Sequence, residues 1–231
     1  MAKKVFIGVG HGGSDPGAVA NGFEEADLNL AIALACREEL ERHGVLTLMS
    51  RTKDENDPLT EEIKECNAFA PDLAIDVHNN AGGGDGIEVF HSINGGIGKA
   101  LANNIITEVK KIGQNSRGAK TRKNSSGKDY FGFIRQTNAP AVLIECAFVD
   151  NKTDIQIIDT KAEQKAMGVA IAKGVLTTLG IAYKAQEATG KAENTDGKYY
   201  RAQAFAGSKE GAEEMAKKLK EAGFDAFVSH Y

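Results

Sequence analysis

The chain has 231 residues, 42% of them hydrophobic and 26% charged, with a formal net charge of −4. Such a chain can bury one full globular core with a small unit to spare, and its acidic balance argues against a general nucleic-acid binder. No apolar run approaches the roughly 20 residues that a membrane span needs.

Met1-Ala2-Lys3-Lys4 leads into only a short strand-like run. A secretory signal needs an apolar stretch of about 7–15 residues and a small-residue cleavage site, so synthesis in the cytoplasm is expected. Val5–Val9 reads as a buried-type strand and runs into a glycine-rich loop, GVGHGGSDPG, at Gly8–Gly17. Asp27–His43 carries Leu28, Ala31, Ile32, Ala35 and Leu40 at helical spacing and stops at Gly44, a good C-cap residue. Val45–Met49 reads as a strand, Thr60–Phe69 as a short helix, and Leu73–Val77 and Ile87–Phe90 as strands. A helix follows over about Ile97–Ile112, then a polar segment, Asn115–Asp129, with five basic residues. That segment reads as a solvated loop, and its length also suits a lid or binding loop for an anionic substrate. Val142–Ile144 is a short strand and Lys161–Leu179 a closing helix. Strands alternating with helices predict an α/β domain over residues 1–181: a mostly parallel, twisted sheet flanked by helices on both faces.

Residues 182–197 lack apolar periodicity and read as a linker. Residues 198–231 regain it as one small β-α-β unit, with strands at Tyr199–Ala206 and Phe224–Ser229 around a helix bearing Ala212, Met215, Ala216 and Leu219. Units below roughly 40 residues seldom fold without staples or partners, so this one is expected to dimerise or dock. Cys36, Cys66 and Cys146 are odd in number and lack C-x-x-C spacing. They fit neither a disulfide framework nor a thiolate zinc site and read as core residues.

Two histidines stand out. His11 follows Val5–Val9 within the glycine-rich loop, and His78 follows Leu73–Val77. In an open α/β sheet, function gathers beyond the carboxyl ends of the strands. If the strands at Val5, Leu73 and Val142 are parallel neighbours, then His11, His78 and Glu145 emerge on one edge. Two imidazoles and a carboxylate with an open fourth position make a catalytic zinc site, and a further carboxylate is needed to move the proton. Asp15, Glu24, Glu25 and Glu145 are the candidates for third ligand and base, and spacing alone does not separate them. Gly8, Gly10 and Gly13 also fit the dinucleotide fingerprint G-x-G-x-x-G, but that motif needs a helix to start at once, and Ser14-Asp15-Pro16-Gly17 is turn chemistry. His91 is the rival histidine, since it too follows a strand. A Cys146–His nucleophile pair is the weaker alternative.

Four motifs, in order over Lys4 to about Gly180, resemble the zinc-dependent N-acetylmuramoyl-L-alanine amidases of the type-3 amidase family. Gly10–Ala18 (GHGGSDPGA) is similar to the family's first ligand motif, and Glu25-Ala26-Asp27-Leu28-Asn29-Leu30 to its Glu-x-Asp-x-Asn-Leu motif. Asp76–Ala81 (DVHNNA) resembles Ser-Ile-His-x-Asn-Ala, and Pro140–Asn151 resembles the segment that supplies a catalytic glutamate. The resemblance implies that His11, Glu25 and His78 hold Zn²⁺, that Glu145 is catalytic, and that the substrate is the bond joining N-acetylmuramic acid to L-alanine in peptidoglycan. Asp76 replaces a usual Ser, and Glu62 stands where the family often has Arg, which implies altered contacts around the ligands. Tyr199–Tyr231 resembles the first half of a SPOR domain, a peptidoglycan-binding module, and two such halves paired across a homodimer would complete its sheet. With no secretion signal, the resemblance favours a phage endolysin over a bacterial autolysin, made in the cytoplasm and acting on the wall after release. A zinc peptidase or deacetylase of peptidoglycan is the alternative within the same chemistry, and a wall-binding module that has lost catalysis the alternative outside it.

Overall fold

A computed structural model describes residues 2–185. Its strands are β1 (Lys4–Val9), β2 (Val19–Ala20), β3 (Phe23–Glu24), β4 (Leu46–Met49), β5 (Leu73–Asn80), β6 (Ile87–His91), β7 (Ser116–Lys120) and β8 (Ala141–Phe148). Its helices are α1 (Glu25–Arg42), α2 (Leu59–Phe69), α3 (Gly96–Lys110), α4 (Gly132–Gln136) and α5 (Lys161–Leu179). Six strands form one sheet in the order β4-β1-β5-β8-β6-β7, and β2 and β3 form a separate small hairpin. Neighbours pair in parallel throughout, except that β6 runs antiparallel to β8. The mostly parallel α/β sheet expected from the sequence is therefore present, and the strands at Val5, Leu73 and Val142 are adjacent as required.

The two-residue period of the strands divides the core unequally. Val5, Ile7, Leu73, Ile75, Val77, Val89, Val142 and Ile144 point to one face, where Leu28, Ile32 and Leu40 of α1, Leu101 and Ile105 of α3, and Ile171 and Val175 of α5 cover them. Phe6, Ala74 and Ala141 point to the other face, covered by Ile63, Cys66 and Phe69 of α2, Phe133 of α4 and Ala139. The second layer is thin, and beyond it the same face carries the polar residues of the strands. Helix α5 starts where the sequence predicts because Thr160 and Glu163 form a reciprocal capping box.

Several boundaries differ from expectation. Strand β5 extends through His78 to Asn80, and β8 extends through Glu145 to Phe148, so both residues lie inside strands and not just past them. Polarity ended the apolar runs in the sequence, but a face open to a cleft tolerates polar side chains. Helix α1 starts at Glu25, two residues before the apolar spacing begins. The first residues of the expected basic loop form β7, an edge strand with no apolar alternation to reveal it. After Gly13 comes the β2–β3 hairpin and not a helix, as the turn residues implied.

Residues through Lys184 form one compact unit. Most of the expected linker 182–197, and all of the β-α-β unit 198–231 with its homodimer, lie outside the described residues. No helix among the described residues is long and apolar enough to cross a membrane.

Candidate active site

Strand register brings the predicted residues together. His78 on β5 pairs directly with Glu145 on β8. His11 leaves the end of β1, and Glu25 opens α1. One donor atom from each of His11, Glu25 and His78 lies within 4.8 Å of the others. His11 Nε2 is 3.2 Å and His78 Nδ1 is 3.1 Å from the same oxygen, Glu25 Oε1. The two rings meet edge to face, 5.1 Å apart. An open cleft of about 660 Å³ lies over these residues, walled on its apolar side by Leu59, Phe131, Phe133 and Leu143.

The loop that carries His11 is held in an unfavourable shape. His11 itself has φ 63°, the left-handed region that a histidine seldom adopts. Gly10 passes so close to His78 that a Cβ there would lie 2.1 Å from the ring, so only glycine fits. Arg51, almost wholly buried, fastens the loop from beneath, donating to the carbonyls of Val9, Gly10, Lys53 and Ala26 at 2.8–3.2 Å. Asn29 donates to Gly10 O at 3.0 Å, and Asn79 donates to Asn29 Oδ1 at 2.8 Å. Glu25 is fixed by backbone donors, Ala18 N to Oε2 at 2.9 Å and Asn79 N to Oε1 at 3.1 Å.

Burial alone would raise the Glu25 carboxyl, but its contacts with His11 and His78 outweigh burial and hold it well below the usual range. The hydrogen bond to Glu25 raises the His11 imidazole despite partial burial, with Asp15 adding to the effect. Burial would lower the His78 imidazole, yet Asp76 and Glu25 push it well above its ordinary value. The cluster is thus two imidazoles around an anion. Glu145 behaves in the opposite way. Burial lifts its carboxyl to about 7 against the pull of His78, with Glu25, Asp76 and Glu88 adding to the rise. Its Oε2 is buried without a hydrogen-bond partner. A carboxyl that titrates near neutrality in a cleft beside a potential metal group is placed to accept and return a proton.

The other sequence candidates fall away on geometry. Glu24 is exposed at the end of β3. Asp15 lies 2.9 Å from His11 Nδ1 and steadies that ring without joining the cluster. His91 on β6 pairs with Val142 on β8 and follows the alternation to the face away from the cleft, with Nδ1 2.8 Å from Ser92 O. Cys146 is fully buried in the large core, and burial pushes its thiol far up, so no nucleophile pair exists. All three cysteines are free and buried.

A family signature described as N-acetylmuramoyl-L-alanine amidase (Amidase_3) matches residues 5–177. The chain belongs to the N-acetylmuramoyl-L-alanine amidase family. The chain is 34% identical to the N-acetylmuramoyl-L-alanine amidase CwlM of Bacillus licheniformis over 97% of its own length and 84% of the relative's. It is also 32% identical to an endolysin of Bacillus phage SPP1, over 84% of this chain and 72% of the endolysin. Among solved structures, Cwp6 from Clostridium difficile aligns with a TM-score of 0.76 at 38% identity, covering 78% of this chain and 30% of Cwp6. The catalytic domain of the amidase CwlV from Bacillus (Paenibacillus) polymyxa aligns at 0.70 and 26% identity, covering 78% and 99%.

Two cleft residues of this family member depart from the motifs, and both are buried. Glu62 on α2 and Asp76 on β5 meet over Gly8, and each has an oxygen without a partner. Burial, with Asp76 and Asp57 nearby, raises the Glu62 carboxyl well above its ordinary value. Asp76 Oδ2 lies 3.5 Å from His78 Nε2. Arg51 is the structural residue that sequence reasoning missed. A lone arginine after a strand carries no motif, and only the fold reveals the four carbonyls it serves.

Proposed function

We propose that this chain hydrolyses the amide between the lactyl group of N-acetylmuramic acid and L-alanine in bacterial peptidoglycan. His11, Glu25 and His78 hold a zinc ion for this reaction, and Glu145 is the base and acid. The observation that carries the reading is the convergence of one carboxylate and two imidazoles at the carboxyl end of a parallel sheet, with Glu145 on the next strand, in a chain of the amidase family.

The donor set fits the ion. Two histidines and one carboxylate that leave a position open are the usual ligands of hydrolytic zinc. Glu25 Oε1 is shared at 3.1–3.2 Å by both imidazoles, where a cation would replace the protons that now hold the cluster together. Zinc, when bound, supplies Lewis acidity that ionises water near neutral pH and polarises a carbonyl. Glu145 takes the proton of the attacking water, its carboxyl being matched to neutral pH by burial. It then delivers that proton to the leaving nitrogen of L-alanine. Leu59, Phe131 and Phe133 form the apolar wall of the cleft that faces Glu145.

Mass spectrometry of digested cell wall, with and without a chelator, tests the reading. An amidase frees the N-terminus of L-alanine on the stem peptide, and chelation stops it. Freed acetate would identify a deacetylase, and a cut within the stem a peptidase. The wall-binding and homodimer roles of residues 198–231 and release from the cytoplasm are part of the same proposal, and the phage relative supports the lytic role.

A further inference from the structure

The sheet face that carries the cleft continues past Glu145. Register runs from His78 to Glu145, from Glu145 to Glu88 on β6, and from Glu88 to Gly118 on β7. Helices α2 and α4 cover the β1, β5 and β8 part of this face, and the β6–β7 half carries charge. Glu88 is buried, and one oxygen, Oε1, holds both Arg117 and Lys120, the latter at 2.6 Å.

A β-bulge brings the two cations to that face. Ile87 pairs with Ser116 but Glu88 pairs with Gly118, so Arg117 is the extra residue. Gly118, at φ 87°, supplies the backbone turn that this requires. The guanidinium also lies 5.4 Å from the centre of the Phe148 ring. One carboxylate against two cations leaves a net positive charge. Arg117 contacts Glu88 through Nε, and its two Nη groups have no protein partner among the described residues. The Arg117 and Lys120 side chains keep 43% and 33% of their surface exposed, so this face of the pair is open to a ligand.

We infer that Arg117 and Lys120 form an anion subsite beside the cleft, on the same sheet face, which takes the free α-carboxylate of the second stem-peptide residue of the substrate. The inference rests on the amidase reading above. The scissile carbonyl must lie by His78 and Glu145. Neighbouring strands are about 4.8 Å apart, so Glu88 and its cations stand roughly 5–10 Å across the sheet from that point. Two residues of extended peptide span about 7 Å. The second residue, isoglutamate linked through its side chain, presents its α-carboxylate at that reach. A guanidinium fork is the group that reads a carboxylate in two bonds.

The test uses the full chain and two N-acetylmuramoyl tripeptides that differ only at the second residue, isoglutamate or its amide isoglutamine. Loss of a charge-assisted pair is on the order of tenfold or more in kcat/KM. Wild type is expected to prefer the carboxylate by about that factor. Arg117→Ala should collapse the ratio to near one, with Arg117→Lys keeping part of it, and Lys120→Ala should reduce it. Thermal unfolding of each variant checks that the domain is intact. Equal rates on both substrates in wild type would overturn the subsite. So would an Arg117→Ala loss that is the same on both, which is what a purely structural ion pair gives. If neither substrate yields a free L-alanine terminus while wall digestion yields another product, the amidase reading itself fails and takes the subsite with it.

Discussion

Replacing Glu145 with glutamine should make the protein much less active and, at alkaline pH, more stable. The shape is kept and only the charge and the proton acceptor go. Burial lifts the carboxyl from its ordinary 4.5 to about 7, which corresponds to about 3 kcal/mol at 1.36 kcal/mol per tenfold change in proton affinity. Below about pH 4.5 the group is neutral in both folded and unfolded chains and contributes nothing. Between 4.5 and 7 the folded chain keeps a proton that the unfolded chain loses, so stability falls as pH rises. Above about 7 the buried carboxylate carries the full cost. Glutamine avoids it, and after the burial cost of the amide itself the gain should be about 1–3 kcal/mol. That is a rise of several degrees in Tm for a domain of this size. Thermal unfolding of chelator-treated wild type and Glu145→Gln at pH 5 and pH 8 measures it: curves close together at pH 5 and separated at pH 8. Wall hydrolysis should fall by about 10²–10⁴, the usual worth of a general base. A variant no more stable than wild type at pH 8 would refute the electrostatic reasoning, and one within tenfold of wild-type activity would refute the role.

Chelation should abolish activity, and added zinc should restore it. His78→Ala should bind zinc below one equivalent by atomic absorption, whereas Glu145→Gln should stay near one. Gly10→Ala should lose both metal and activity, because its methyl would sit 2.1 Å from the His78 ring. Overpacking of that kind costs about 1–3 kcal/mol in urea unfolding. Arg51→Met removes the donor from the carbonyls of Val9, Ala26 and Lys53, while Gly10 O keeps Asn29. At about 1–3 kcal/mol for each buried group left unpaired, a loss of at least 3 kcal/mol is expected in the same assay. Glu62→Gln should cost little in Tm, because burial and the nearby Asp76 and Asp57 already raise that carboxyl well above its ordinary value, toward the neutral form that an amide mimics.

The sequence shows the large core and the candidate ligands for the same reason: each is written in local pattern. Val5, Ile7, Leu73 and Ile75 are runs in sequence because parallel strands under helices are apolar on both faces where both are covered. His11 and His78 stand out because they follow such runs. Glu25 was not separable from Glu24 by spacing. Only the start of α1 at Glu25, together with Ala18 N and Asn79 N on its oxygens, puts that side chain inside. Strand β7 was invisible because an edge strand with Arg117, Gly118 and Lys120 has no buried face to impose alternation. Arg51 was invisible because its partners are backbone carbonyls, which no residue type announces.

The division of the sheet explains why the site lies where it does. Residues 73, 75 and 77 of β5 point into the large core, and 74, 76 and 78 point away from it. Along one strand the second set runs from Ala74, beneath the thin cover, to Asp76 and His78 in the cleft. Glu145 and Glu88 repeat the change on β8 and β6. Placing so many ionisable groups on one sheet face is costly unless each finds a partner, and the orphan oxygens of Glu62, Asp76 and Glu145 show where that cost remains. The core on the far side is large enough to carry it. A substitution such as Ile75→Val should therefore lower stability by about 0.5–1.5 kcal/mol and leave the cleft unchanged. A polar change one residue further along, at Asp76, alters the surroundings of His78 directly. Stability and chemistry are thus assigned to opposite faces of the same strands, separated by single residues.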